Sequence, residues 1–220
     1  MRFLDRRDAG RQLAAKLSAY TDHPAVVVLG LPRGGVPVAY EVARSLRAPL
    51  DVFVVRKLGV PGHRELAMGA IASGGTRVLN ADVIGGLGIA PAMVESVAAR
   101  ELLELERQQR AYRPVSSNDA PFPDSTDRTV IVVDDGLATG STMRAAVRAL
   151  RQTNPGRIIV AVPVAAPETA RNLREEADVV CLSTPTEFHA VSTWYEDFSQ
   201  ISDEEVRRLL ESASHAASSP

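Results

Sequence analysis

The sequence predicts an α/β domain: a parallel sheet with helices on both faces. Apolar runs of strand length recur at 25–31, 50–55, 129–133, 157–162 and 178–182, several too continuous to face water on one side. Between them lie segments whose apolar residues recur at helical spacing. Hydrophobic residues make up 45% of 220, enough to give one medium-sized domain a full core.

Ala9, Leu13 and Leu17 mark an opening helix over residues 5–20, ended by His23-Pro24. A buried strand follows at 25–31, then the loop Pro32-Arg33-Gly34-Gly35, a helix over 36–46, and a second buried strand at 50–55 that runs into Arg56-Lys57. Residues 58–75 are rich in glycine and charge and read as a long mobile loop, with strand character near Met68–Ala72. Arg77–Leu79 reads as a short strand, and Asn80 or Asp82 caps a short helix that Gly85-Gly86 ends. Residues 91–113 form the longest helix, an insertion with Val94, Ala98, Leu102, Leu105 and Tyr112 on one face and a candidate homodimer surface. Residues 114–128, rich in Pro, Ser and Asp, read as a surface linker. Strands at 129–133, 157–162 and 178–182 then alternate with helices at 140–152 and 167–177, the latter with proline near its first position. Ser202-Asp203-Glu204-Glu205 is a capping box before a last helix carrying Val206, Leu209 and Leu210. Residues 1–210 thus read as a single domain, with a frayed tail at 211–220.

Composition excludes several roles. A formal net charge of −2 without a basic cluster argues against nucleic acid, and 5% aromatics argues against stacking on single strands. No window approaches a membrane span, and the N-terminus has no secretory apolar core. The lone Cys181 cannot form an internal disulfide and reads as a buried strand residue, so the expected location is the reducing cytoplasm.

The chemistry concentrates in Val130-Ile131-Val132-Val133-Asp134-Asp135-Gly136-Leu137-Ala138-Thr139-Gly140-Ser141-Thr142. A strand delivers two adjacent carboxylates to its C-terminal end, where open α/β sheets bind ligands. Glycines and hydroxyl side chains then lead into a helix, whose N-terminal N–H groups and partial positive charge suit a phosphate. The carboxylates, one short step away, suit sugar hydroxyls or a hydrated cation. The segment lacks the Gly-Lys-Ser/Thr of a P-loop and does not match a dinucleotide fingerprint.

In that order the segment resembles the binding signature for 5-phosphoribosyl-1-pyrophosphate (PRPP) of the type I phosphoribosyltransferases. The resemblance spans roughly residues 1–210. It is nearest to bacterial phosphoribosyltransferase-domain proteins of undefined substrate, through Phe3-Leu4-Asp5-Arg6, Leu31-Pro32-Arg33-Gly34-Gly35 and Trp194-Tyr195-Glu196-Asp197-Phe198. It implies a Rossmann-like parallel sheet with a small hood from residues near 1–8 and 183–201. It also implies that Gly136, Leu137, Ala138, Thr139, Gly140, Ser141 and Thr142 hold the 5-phosphate, chiefly through backbone N–H groups from Ala138 onward. Asp134 and Asp135 would contact the ribose hydroxyls and place Mg²⁺. Arg33, Gly34 and Gly35 resemble the pyrophosphate loop, a place for backbone strain at Pro32–Arg33. Arg56 and Lys57 resemble the start of a flexible catalytic loop, with His63, Arg64 and Glu65 as weaker candidates.

The implied reaction displaces pyrophosphate from ribose C1 by a nitrogen nucleophile on a nucleobase-like acceptor. Phe188, Trp194 or Tyr195 are candidates to stack on that acceptor. No lysine follows Lys57, whereas purine-specific members carry a hood lysine, which argues against a standard hypoxanthine or guanine acceptor. The alternative function is a regulator that senses PRPP or a nucleotide without turnover.

Overall fold

The computed structural model describes residues 2–112 and 125–217. Five strands, β1 (Val26–Gly30), β2 (Leu50–Val52), β6 (Thr129–Val133), β7 (Arg157–Val164) and β8 (Asp178–Ser183), form one all-parallel sheet in the order β2-β1-β6-β7-β8. Alternation along the strands divides its two faces. Val26, Val28, Ile131 and Val133 pack under α1 (Arg6–Lys16) and α2 (Gly35–Leu46). Val27, Leu29, Val130 and Val132 pack under α5 (Ser141–Arg151) and α6 (Pro167–Leu173). The chain turns outward from β1 to β2 and later re-enters beside β1 as β6, so the strand order reverses between β1 and β6. That reversal opens a crevice at their C-terminal ends.

Residues 58–75, expected as a loop with strand character near Met68–Ala72, form strands instead, and Arg77–Leu79 is the expected short strand. The run 50–55 splits. β2 ends at Val52, and Val55 opens a second, antiparallel sheet of β3 (Val55–Val60), β4 (His63–Ala72) and β5 (Arg77–Leu79), in that order. The hairpin turns at Pro61-Gly62. Glycine and charge hide its period-2 pattern, because Leu58, Val60 and Met68 are buried against α4 (Pro91–Tyr112) rather than against the main sheet. Asn80 caps α3 (Ala81–Gly86), its side chain accepting from the Val83 N–H.

α4 buries Val94, Val97, Ala98, Leu105 and Tyr112 against this hairpin and against α7 (Asp203–Ala217), while Leu102, expected on that face, is 41% exposed. The Ser202 hydroxyl accepts from the Glu205 N–H at 3.1 Å as α7 begins. α7 continues through 211–217, where the sequence predicts fraying, because Leu209 and Leu210 anchor its preceding turn. The expected linker residues 114–124 and the tail residues 218–220 lie outside the described residues.

The chain ends meet. The Phe3 N–H donates to the Trp194 carbonyl, and the Glu196 N–H donates to the Phe3 carbonyl, each at 2.8 Å. Phe3, Ala9 and Tyr195 bury against Val164 at the end of β7, with Phe188, Trp194 and Phe198 packed around them.

Candidate active site at the β1–β6 crevice

The two loops leaving β1 and β6 are locked together. The Leu31 N–H donates to the Val133 carbonyl at 2.9 Å, and the Gly35 N–H turns back to the Leu31 carbonyl at 3.0 Å. Gly34 lies so close to Asp135 that a Cβ there would stand 2.0 Å from its Oδ2. Only a residue without a side chain lets the two loops approach this far. The Pro32–Arg33 peptide between them is cis.

Asp134 and Asp135 stand side by side at the end of β6, largely withdrawn from water. Burial pushes the Asp134 carboxyl well up, and the neighbouring Asp135 charge adds to it. Burial also pushes Asp135 up, opposed by Arg6. Arg6 is 8% exposed and donates Nε to Asp135 Oδ2 at 2.8 Å and Nη1 to the Ser199 carbonyl at 2.8 Å. Its guanidinium lies 3.8 Å from the centre of the Phe198 ring. The Tyr195 hydroxyl donates to the Asp135 carbonyl at 2.6 Å. One carboxylate is therefore clamped by the chain ends, and the other has only the Asp135 N–H, at 2.9 Å, among its described hydrogen bonds.

Beyond the carboxylates, the Leu137 N–H and carbonyl are spent on Val164 and Ala166, so Leu137 anchors the loop and offers no N–H to a phosphate. Ala138, Thr139, Ser141 and Thr142 are exposed around the start of α5. Gly140 adopts φ 69°, a left-handed turn that aims the first N–H groups of the helix outward. Thr169 holds the loop from behind, donating to the Ala138 carbonyl at 2.6 Å.

Sequence neighbours Arg56 and Lys57 part company. On β3 they point to opposite faces of the hairpin sheet. Arg56 shares a row with Ile71 and Arg77, facing α4, where Arg56 pairs with Glu101 at 2.7 Å and Arg77 with Glu95 at 2.9 Å. Lys57 shares a row with Ala70 and Val78 and lines a cleft with Ser141 of α5. Arg56, which the resemblance places at the pyrophosphate, thus lies on the α4 face of the hairpin, opposite the face that carries Lys57. His63 is exposed at the hairpin turn, and the side chains of Arg64 and Glu65 lie outside the described residues. Arg33 extends toward α7 and pairs with Asp203 at 3.7 Å. Tyr112 shares that neighbourhood, and burial raises its hydroxyl to about 12.

The expected stacking residues sit together where the chain ends meet. Tyr195 is 2% exposed, its ring centre 5.4 Å from Phe3 and 5.0 Å from Phe198, which leaves no ring face for an acceptor. Phe188 and Trp194 are half-buried on the same cluster. Arg6 is the residue that sequence reasoning missed: its motif was legible, but its partners lie 129 and 193 positions away.

Residues 4–197 match the family model of the phosphoribosyl transferase domain. The chain belongs to that family. A Mycobacterium tuberculosis protein with the provisional name phosphoribosyl transferase is 49% identical over 212 residues, covering 96% of this chain and 47% of that protein. This phosphoribosyl transferase domain therefore spans about half the length of the curated relatives it matches. A uracil phosphoribosyltransferase of Lactobacillus delbrueckii subsp. bulgaricus is 29% identical over 143 residues, 63% of this chain and 64% of the relative. A crystal structure of a Thermus thermophilus protein superposes with a TM-score of 0.85 at 44% identity, covering 96% of this chain and 98% of that one. No helix among the described residues is long and apolar enough to cross a membrane.

Proposed function

We propose that the chain transfers the phosphoribosyl group of PRPP to a nitrogen of a nucleobase-like acceptor and releases pyrophosphate. The observation that carries this reading is the buried carboxylate pair at the β1–β6 crevice. It lies between a glycine loop on β1 and the exposed start of α5. A ribose 5-phosphate bridging the two has its phosphate at Thr139–Thr142 and its hydroxyls at Asp134 and Asp135. The likeness to uracil phosphoribosyltransferases supports a nucleobase as acceptor.

The donor set fits Mg²⁺. Asp134 and Asp135 would hold it: their hard carboxylate oxygens, in low dielectric with pKa values pushed up, would be relieved of charge by a divalent cation. When bound, the ion neutralises charge building on the departing pyrophosphate. The protein's own contribution is positioning. Arg6 and Tyr195 hold Asp135 in place. Gly34 admits the pyrophosphate loop to the carboxylates. Arg33, released from Asp203, brings positive charge to the leaving group, and Lys57 brings it from the hairpin. The single, half-buried Cys181 supports a reducing, cytoplasmic setting.

The test is pyrophosphate release from PRPP and Mg²⁺ across a panel of purine and pyrimidine bases. Release that depends on one base is the expected result. Release with none of them, at saturating PRPP, contradicts transfer to a nucleobase.

A further inference from the structure

The loop that leads into α5 hangs on α6 by its carbonyls. The Leu137 carbonyl accepts from the Ala166 N–H at 2.9 Å, and the next carbonyl, that of Ala138, accepts from the Thr169 hydroxyl at 2.6 Å. Both peptides are trans, and in a trans peptide the N–H points away from the C=O. Turning the two carbonyls toward α6 therefore turns the N–H groups of Ala138 and Thr139 away from it, on residues that are exposed. Neither N–H has a hydrogen-bond partner among the described residues, and successive N–H groups aimed one way make a concavity for an anion.

The two carbonyls are held by different means. Leu137 is fixed by main-chain groups alone, its carbonyl by Ala166 and its N–H by the Val164 carbonyl. Ala138 depends on one side chain. Thr169 is buried in the first turn of α6, and its methyl group occupies the space that Gly140 leaves: a Cβ on Gly140 would stand 2.6 Å from Thr169 Cγ2. A branched side chain has little freedom about χ1, so seating the methyl group also fixes the direction of the hydroxyl. Among the described residues no other side chain donates to a carbonyl of residues 136–142.

We infer that Thr169 is a positioning residue for the 5-phosphate: its hydroxyl sets the direction of the Ala138–Thr139 peptide and so presents the Thr139 N–H to that phosphate. The inference rests on the proposed reading of residues 138–142 as the phosphate loop. Without the hydroxyl this peptide is free to turn over, which puts a carbonyl oxygen in place of a donor before an anion. Binding then loses one charge-assisted hydrogen bond and gains a repulsion.

The probe is ribose 5-phosphate, titrated calorimetrically into the full chain, with the Thr139 amide followed by NMR. Thr169→Val keeps the methyl contact with Gly140 and removes the hydroxyl, whereas Thr169→Ser keeps the hydroxyl and removes the methyl group. Wild type is expected to bind the probe and to shift its Thr139 amide proton downfield. Thr169→Val should bind about tenfold or more weakly, the size of a lost charge-assisted hydrogen bond, and lose that shift. Thr169→Ser should stay within about threefold of wild type and keep the shift. Undiminished binding by Thr169→Val, or a Thr139 amide that the bound probe leaves unmoved in wild type, would overturn the inference. A serine variant as weak as the valine one would make Thr169 a packing residue and overturn it too. If wild type does not bind the probe at all, the reading of the phosphate loop fails and takes the inference with it, an outcome distinct from equal binding by wild type and Thr169→Val.

Discussion

The β1–β6 crevice and the hairpin sheet both present charged residues in adjacent pairs, Asp134-Asp135 and Arg56-Lys57, and the two pairs have opposite fates. At the end of β6 the chain leaves the strand, so both carboxylates stay at one edge. They are pressed together, and their pKa values are pushed up. Within β3 the pleat sends each neighbour to its own face, one to an ion pair on α4 and the other to the α5 cleft. Adjacency in sequence creates a site at a strand terminus and divides one inside a strand.

The comparison is broken most severely at Arg6. Arg6→Ala leaves the Asp135 carboxylate buried without its cation. The expected loss is about 3–5 kcal/mol of stability, the cost of stranding one member of a buried pair, read by urea denaturation. An unchanged midpoint would show that Arg6 holds nothing in place. Next comes the glycine that lets the loops meet. Gly34→Ala forces a Cβ into Asp135 and should cost about 1–3 kcal/mol together with PRPP binding. Retained affinity would mean that the carboxylate can move aside.

Two substitutions sharpen the division of the hairpin. Lys57→Ala should weaken PRPP binding or turnover about tenfold, the worth of one charged contact. Arg56→Ala should leave that affinity within about twofold and cost about 1 kcal/mol of stability through the lost Glu101 pair. The reverse pattern would return Arg56 to the site.

The smallest expected effect lies in pH. Asp134 titrates well above its ordinary 3.8, so the folded chain binds that proton more tightly than the unfolded chain does. Its contribution to stability therefore falls as pH rises from about that value through the raised pKa. Asp134→Asn removes the slope. Its Tm should match wild type near pH 4 and exceed it by about 2–4 °C at neutral pH. A variant less stable at neutral pH would mean that the carboxylate is satisfied in the fold.

What could be read from sequence follows the same division. The five parallel strands and the carboxylate loop are local signals: continuous apolar runs and an ordered motif within 13 residues. Most of the hairpin reads as a loop because Gly59, Gly62 and Gly69 interrupt its alternation and because its buried face packs on α4, whose apolar stripe gives no hint of its partner. In sequence Tyr195 reads as free to stack because its partner Phe3 is 192 positions earlier, and Arg6 reads as one more charge on a helix. The motif names the carboxylates, but only the fold shows what holds them.

The most direct test of the central claim is calorimetric binding of PRPP, with and without Mg²⁺, to wild-type chain and to Asp134→Asn with Asp135→Asn. The account predicts Mg²⁺-dependent binding to wild type and its loss in the variant, with circular dichroism unchanged. PRPP binding of equal strength in the variant would contradict it.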